Sequence, residues 1–288
     1  MRTSQIVSCV MRTLKRFLAR PQYGLLVLLL PAAAGCAGAT ASQASESTQC
    51  QSQAGRLLTE MEERYRSCRS YEDTGKVTVD ISGEGPRRTH NVRGTFETEF
   101  DRASGGFRFI YKDMANEKSA AAIWRQASGT IRSWHWPDAE LREEELAIGI
   151  QSFSGVSHGT SRTVPSMLFG FGRAFQGSAM RVEGEELIGG VRCFRLTAGG
   201  DELVTIWVSE SDRTLRKVFT RTHLQATPED IRFALSLLPP DSSDEVRAEL
   251  IRRRSAPFDS ETTVEYEPAL DRPLGVSRFG FTVPPTSP

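Results

Sequence analysis

From Val77 onward the apolar residues of this chain recur at every second position, and that alternation restricts its fold more than any other feature. Val77, Val79 and Ile81 alternate with Lys76, Thr78 and Asp80; Val92, Phe96 and Phe100 stand among Arg93, Thr95, Glu97 and Glu99. Successive side chains of a strand point to opposite faces, so this pattern describes strands with one side in a core and the other in water. It continues through Phe107 to Tyr111, Ile131 to Trp136, Val191 to Leu196, Val204 to Val208, Leu215 to Phe219, Thr262 to Tyr266 and Arg278 to Val283. Gly83-Glu84-Gly85-Pro86 and Ser104-Gly105-Gly106 supply short turns. Strands joined this closely pair antiparallel, and the strand–helix alternation of a parallel sheet is missing.

Three stretches break the rhythm. Leu57, Leu58, Met61, Tyr65 and Cys68 recur at helical spacing and predict one short amphipathic helix over 56–69. Between Leu141 and Gly177 the charged run Glu143-Glu144-Glu145 gives way to the apolar Val164-Pro165-Ser166-Met167-Leu168-Phe169-Gly170-Phe171, predicting two short helices. Thr227 to Arg254 reads as another helical stretch with Asp241-Ser242-Ser243-Asp244 as a cap, within a second insertion spanning 227–257. Arg252-Arg253-Arg254 suits a solvated helix end beside the negative dipole terminus, or a contact with an anionic headgroup. The fold class is α+β: one large antiparallel sheet, with helices arriving in two insertions.

Ahead of the sheet, Arg12, Lys15, Arg16 and Arg20 precede Leu25-Leu26-Val27-Leu28-Leu29-Leu30 and then Ala32-Ala33-Ala34-Gly35-Cys36. A basic segment, a short apolar run and small residues make a secretory signal. A membrane span needs about 20 apolar residues, and Pro31 interrupts this one. Ala33-Ala34-Gly35-Cys36 resembles a bacterial lipobox, which makes Cys36 the lipid attachment site. Counting from Met11 rather than Met1 brings the segment within the usual length of about 15–30 residues. Residues 1–35 are therefore assigned to the signal, 36–54 to a Ser/Gln/Glu/Ala-rich flexible tether, and 55–288 to the folded unit.

With 36 Lys+Arg against 36 Asp+Glu there is no basic field for nucleic acid. His90, His135, His158 and His223 lack metal-ligand spacing, and no Gly-rich phosphate loop is present, so neither a metal nor a cofactor is expected. Gly155-Val156-Ser157-His158-Gly159 is a literal G-x-S-x-G. A nucleophile elbow needs a buried parallel strand before the serine, whereas a charged helical segment precedes Ser157, so Ser157 reads as the start or cap of the next helix and no enzymatic activity is expected. Cys68 and Cys193 lie inside the folded part, each beside a predicted strand. They are either a disulfide in an oxidising compartment or two unrelated buried thiols.

Several short motifs, taken in order, resemble the outer-membrane lipoprotein-sorting proteins related to LolA, LolB and the mycobacterial LppX-like carriers. They are Tyr65-Arg66-Ser67-Cys68-Arg69-Ser70-Tyr71-Glu72-Asp73-Thr74-Gly75, Phe96 to Phe100 with Phe107-Arg108-Phe109, Gly155-Val156-Ser157, Gly189 to Leu196, Ile206 to Ser209, and Tyr266-Glu267-Pro268 with Phe279-Gly280-Phe281 as a final hairpin. The resemblance implies a strongly curved, unclosed β-barrel with a helical lid. It also implies a concave face that binds acyl chains, a lipid or a lipoprotein. A tethered chain is more similar to the acceptor than to the soluble carrier, which implies the periplasmic face of the outer membrane.

On that frame Phe96, Phe107, Phe109, Trp134 and Trp207 are the expected lining of the cup, and Leu168, Phe169 and Phe171 its lid; the same residues could equally fill a core. An acyl chain of about a dozen methylenes, at about 0.8 kcal/mol each, would be held with micromolar affinity after the costs of association. Two functions follow: an anchored lipid or lipoprotein carrier with an open cup, or a non-enzymatic envelope scaffold with a filled cup whose surface binds a partner protein.

Overall fold

The computed structural model describes residues 41–83, 90–115, 120–135, 141–171, 175, 179–200, 202–239 and 241–283. The chain divides into a segment up to Gln49 and a compact unit from Cys50 to Pro288. Of the first, residues 41–49 are described and are helical. The signal segment, Cys36, Trp136 and most of the Gly83–Pro86 turn lie outside the described residues.

Helix α1 runs Ala41–Ser67, so residues 41–54, expected as flexible tether, are helical. Ala and Gln make up half of that stretch and are good helix formers, a property that composition without apolar period conceals. From Ala54 the helix turns an apolar stripe inward through Leu57, Met61 and Tyr65, all buried.

Among the described residues twelve strands form one antiparallel sheet. A first meander comprises β1 (Ser70–Gly83), β2 (His90–Asp101), β3 (Gly106–Asp113), β4 (Ala120–Arg125), β5 (Ile131–His135) and β6 (Leu141–Glu144). A second comprises β7 (Arg181–Ile188), β8 (Val191–Ala198), β9 (Glu202–Ser209) and β10 (Leu215–Leu224). Strand β11 (Phe258–Tyr266) then joins them by pairing with β10 on one side and β1 on the other, as in Thr78↔Thr263 and Thr220↔Thr262. The short β12 (Ala269–Leu270) pairs with the start of β1. The order β6-β5-β4-β3-β2-β1-β11-β10-β9-β8-β7 leaves β6 and β7 as the two edges, so the sheet is unclosed.

Two consecutive strands of the chain therefore stand at opposite edges. The segment between them carries α2 (Leu146–Ser152) and α3 (Thr160–Phe169). Ile150 and Phe153 of this segment, with Val164, Met167 and Leu168 of α3, join the same core cluster as Phe96 of β2 and Ile206 of β9. The connection is thus laid across the sheet's inner face. Between β10 and β11 come α4 (Pro228–Ser236), opened by a Thr227–Asp230 capping box, and α5 (Asp244–Ser255), capped by Ser243; neither helix buries a residue. Residues 278–283, expected as a closing strand, instead hold the end of a 3-10 helix over Val276–Phe279 and an irregular stretch after it. There Phe279 lies against Gly106, where a Cβ would sit 2.5 Å from its ring.

Candidate functional site

The inner face is aromatic because strand parity puts it there. Phe96 and Phe100 of β2, and Phe107, Phe109 and Tyr111 of β3, all point inward and are at most 4% exposed. Two of the rings pack against strand glycines: a Cβ on Gly75 would meet Phe96 Cζ at 2.1 Å, and one on Gly94 would meet the Tyr111 ring at 2.5 Å. Phe96 stacks on Phe109 at 6.1 Å and meets Tyr266 edge-on at 5.5 Å.

Helix α1 and the α2–α3 segment cover this floor. Leu168 and Met167 are buried against it, and Phe169 sits edge-on to Phe100 at 5.0 Å and to Phe107 at 5.2 Å. Phe171 stacks on Phe169 at 5.6 Å and is 46% exposed. Phe96, Phe107, Phe109, Leu168 and Phe169 pack in or against one core with the lid seated, and Phe171 lies at its exposed edge. Trp134 and Trp207 are not among them. Trp134 belongs to a separate outer-face cluster with Ile110, Ala122 and Trp124, on which Phe281 stacks. Trp207 donates its indole N–H to Glu186 at 2.8 Å, under the Lys217 ammonium. Both alternate with inward residues, Ser133 and Ile206, so parity sends them outward.

Two glycines and a proline mark the lid helix. Gly159 and Gly170 bound it in left-handed conformation, with φ of 84° and 71°. Pro165 lies within it, removing a backbone donor and weakening the helix by about 3 kcal/mol. Its C-terminus is fastened by Arg102, whose guanidinium donates to Leu168 O at 3.3 Å, and also to Tyr65 O at 3.2 Å on α1 and to Cys68 O at 2.8 Å just past its end. Arg102 therefore neutralises the carbonyl ends of both covering helices.

One polar cluster interrupts the apolar interior. Asp73 shares the inward parity of Tyr71, Val77 and Val79 and is 1% exposed. Its Oδ1 accepts from Glu267 N at 2.9 Å. Its Oδ2 has the Tyr71 hydroxyl as its near neighbour, without good hydrogen-bond geometry between the two. The Tyr65 hydroxyl is satisfied, accepting from Leu215 N at 3.0 Å. Burial pushes the Asp73 carboxyl up to about 7, against the opposing pull of Tyr71 and the Glu267 amide. Burial likewise raises all three tyrosines. Neither Asp73 nor Arg102 was anticipated, although a charged residue in the inward register of β1 is a signal that strand parity carries.

Ser157 is fully buried. Its hydroxyl donates to Phe153 O at 2.8 Å and accepts from Ser161 N at 3.2 Å, so it braces the turn into α3, where Gly159 is the N-cap. The disulfide alternative is corrected: Cys68 and Cys193 are both buried free thiols. Cys68 belongs to the inner core. Cys193 alternates with the core residue Leu196 and the inward-packed Phe194, facing outward on β8, four strands from β1. Burial pushes the Cys193 thiol up to about 11. Among the described residues no group of three or more His, Cys, Asp or Glu could hold a metal ion, and no helix is long and apolar enough to cross a membrane.

No protein-family model and no curated protein matches the chain. Solved structures similar to it include a DUF1329 family protein from Desulfovibrio piger, with 8% identity, 80% of this chain and 97% of that chain covered, and a TM-score of 0.33. A putative outer membrane lipoprotein-sorting protein domain from Vibrio parahaemolyticus shares 8% identity over 81% and 97% of the two chains, TM-score 0.32. MucB, solved in complex with MucA(peri), shares 9% identity over 80% of this chain and 60% of its own, TM-score 0.35. The likeness to all three is one of chain course alone.

Proposed function

We propose that this protein is a non-enzymatic binding protein of the bacterial envelope that takes ligands with more than one acyl chain by exchanging them for its lid. The observation that carries this reading is the lid itself: a proline-containing helix between two left-handed glycines, laid over an aromatic floor and fastened at its end by one arginine. Lifting α3 re-exposes Val164, Met167 and Leu168, at about 1.5–3 kcal/mol for each side chain. A single chain of about 14 methylenes returns about 11 kcal/mol, and association takes at least about 4 kcal/mol of it. One chain thus comes out close to balance, which lowers the micromolar affinity expected for an open cup. Two chains return about 22 kcal/mol and leave a clear surplus. The ligand class is accordingly a diacyl lipid or an acylated lipoprotein.

Cys36 fits this reading as the anchor that holds the protein at the membrane, and Cys36→Ser should release it to the soluble envelope fraction. The burial of Ser157 supports the absence of hydrolase chemistry. The decisive experiment titrates delipidated protein with a fluorescent diacyl lipid and a fluorescent single-chain fatty acid. The diacyl probe should bind, and the single chain should bind far more weakly. Phe171→Asp at the lid edge should weaken diacyl binding, Arg102→Met should strengthen it, and the exposed control Glu245→Arg should leave it unchanged. No diacyl binding in either wild type or Arg102→Met would favour the scaffold reading, for which the burial of the aromatic floor under the covering helices is the supporting observation.

A further inference from the structure

Beside the lid's fastened end, the junction of α1 with β1 and the turn after β12 form an open cleft of about 430 Å³. Arg69, Arg102 and Arg272 line it, with Ser70, Asp101 and Asp271. The two carboxylates are already engaged within the fold. Asp101 accepts from Ser104 N at 2.8 Å and from the Ser104 hydroxyl at 2.6 Å; Asp271 accepts from Arg69 N at 2.7 Å and from Arg64 Nη2 at 3.0 Å. Arg102 is committed to the three helix-end carbonyls. The guanidiniums of Arg69 and Arg272, by contrast, are on exposed residues and form no ion pair with a described residue. Two guanidiniums without an ion-pair partner among the described residues thus line one cleft, in which Asp271 is paired with Arg64 and Asp101 is held by Ser104. A planar fork of donors of this kind is matched to tetrahedral oxyanions.

We propose that this cleft is an anion site for a phosphate group, with Arg69 and Arg272 as its binding residues. The anion site stands on the cleft alone. Its assignment to the headgroup of a lipid whose chains enter beside Leu168 rests on the lid-exchange reading, and it adds to that reading the class of headgroup selected. An anion here lies next to the guanidinium that fastens Leu168 O, so its arrival would compete with the carbonyl for Arg102 and couple headgroup binding to release of the lid.

The test uses the folded chain and three soluble probes: inorganic phosphate, dihexanoyl phosphatidylglycerol below its micelle concentration, and dihexanoylglycerol, which has no phosphate. Binding is followed by amide chemical shifts with and without Arg69→Gln plus Arg272→Gln, both at exposed positions. Dihexanoyl phosphatidylglycerol should shift amides at Arg69, Ser70 and Arg272, and the double variant should weaken it by about tenfold or more, leaving dihexanoylglycerol unaffected. Loss of phosphate binding in the double variant, with phosphatidylglycerol no tighter than phosphate, would support the anion site and assign it to a free anion. Absence of binding by both phosphate probes, or equal binding by wild type and double variant, would overturn the site. Lid exchange is read separately by the long-chain diacyl titration, so the two failures are distinguishable.

Discussion

Asp73 gives the sharpest test of how the interior is built. Its carboxyl is 1% exposed with one oxygen out of good hydrogen-bond geometry, and burial raises it to about 7 against about 3.9 in an unfolded chain. Because the folded value lies above the unfolded one, the stability linked to Asp73 is fully present below about pH 4 and is lost as pH rises through about 7. Each pH unit of that window is worth about 1.4 kcal/mol, so the loss is on the order of 4 kcal/mol by pH 8, a large share of the stability of an ordinary domain. Asp73→Asn keeps the shape and the acceptor for Glu267 N but removes the titration. Urea unfolding of the two proteins from pH 4 to pH 8 should give similar midpoints at the acid end and an increasingly more stable Asn variant toward pH 8. Parallel pH profiles for wild type and Asp73→Asn would refute the reasoning, because they would mean that water or a counter-charge reaches the carboxylate in the folded state.

Gly75→Ala forces a Cβ to 2.1 Å from Phe96 Cζ and 2.6 Å from Glu265 O, so thermal unfolding should show a loss of about 1–3 kcal/mol. Arg102→Met deletes donors to Tyr65, Cys68 and Leu168 carbonyls, and amide exchange in 160–169 should quicken while β2 and β3 keep their protection. Cys68 and Cys193 should both resist a thiol reagent in the folded protein and both react in denaturant. A mass consistent with a disulfide under non-reducing conditions would contradict the structure. Ser157→Ala should destabilise by about 1–3 kcal/mol for its buried hydrogen bonds, and wild-type Ser157 should stay unlabelled by a fluorophosphonate probe.

Much of the sheet was legible because strand parity is local. Val77 and Val79 face inward, Phe96 shares a face with Phe100, and the helices around Leu57, Val164 and Asp244 stand where the alternation stops. Parity also fixed that Trp134 and Trp207 oppose their neighbours Ser133 and Ile206, but not which face the helices would cover. Reading every large ring as cup lining therefore placed two tryptophans on the wrong side. The tether misreading has a related cause, since helix propensity in Ala- and Gln-rich sequence carries no apolar period.

The sequence by itself determined the strands, their two faces and the places where helices interrupt them, because each depends on residues within a few positions of one another. Only the tertiary structure decided what those faces do. Strand β11 reaches back more than 180 residues to pair Thr263 with Thr78, inserting between the two meanders and sending β6 and β7 to opposite edges. Once those edges are apart, the connection between them has to cross the inner face, and α3 becomes a lid over the aromatic floor. The same return brings Tyr266 beside Asp73, and the turn after β12 carries Arg272 to Arg69. Pairings at such separation are selected by the packing of the whole sheet, which no local pattern encodes.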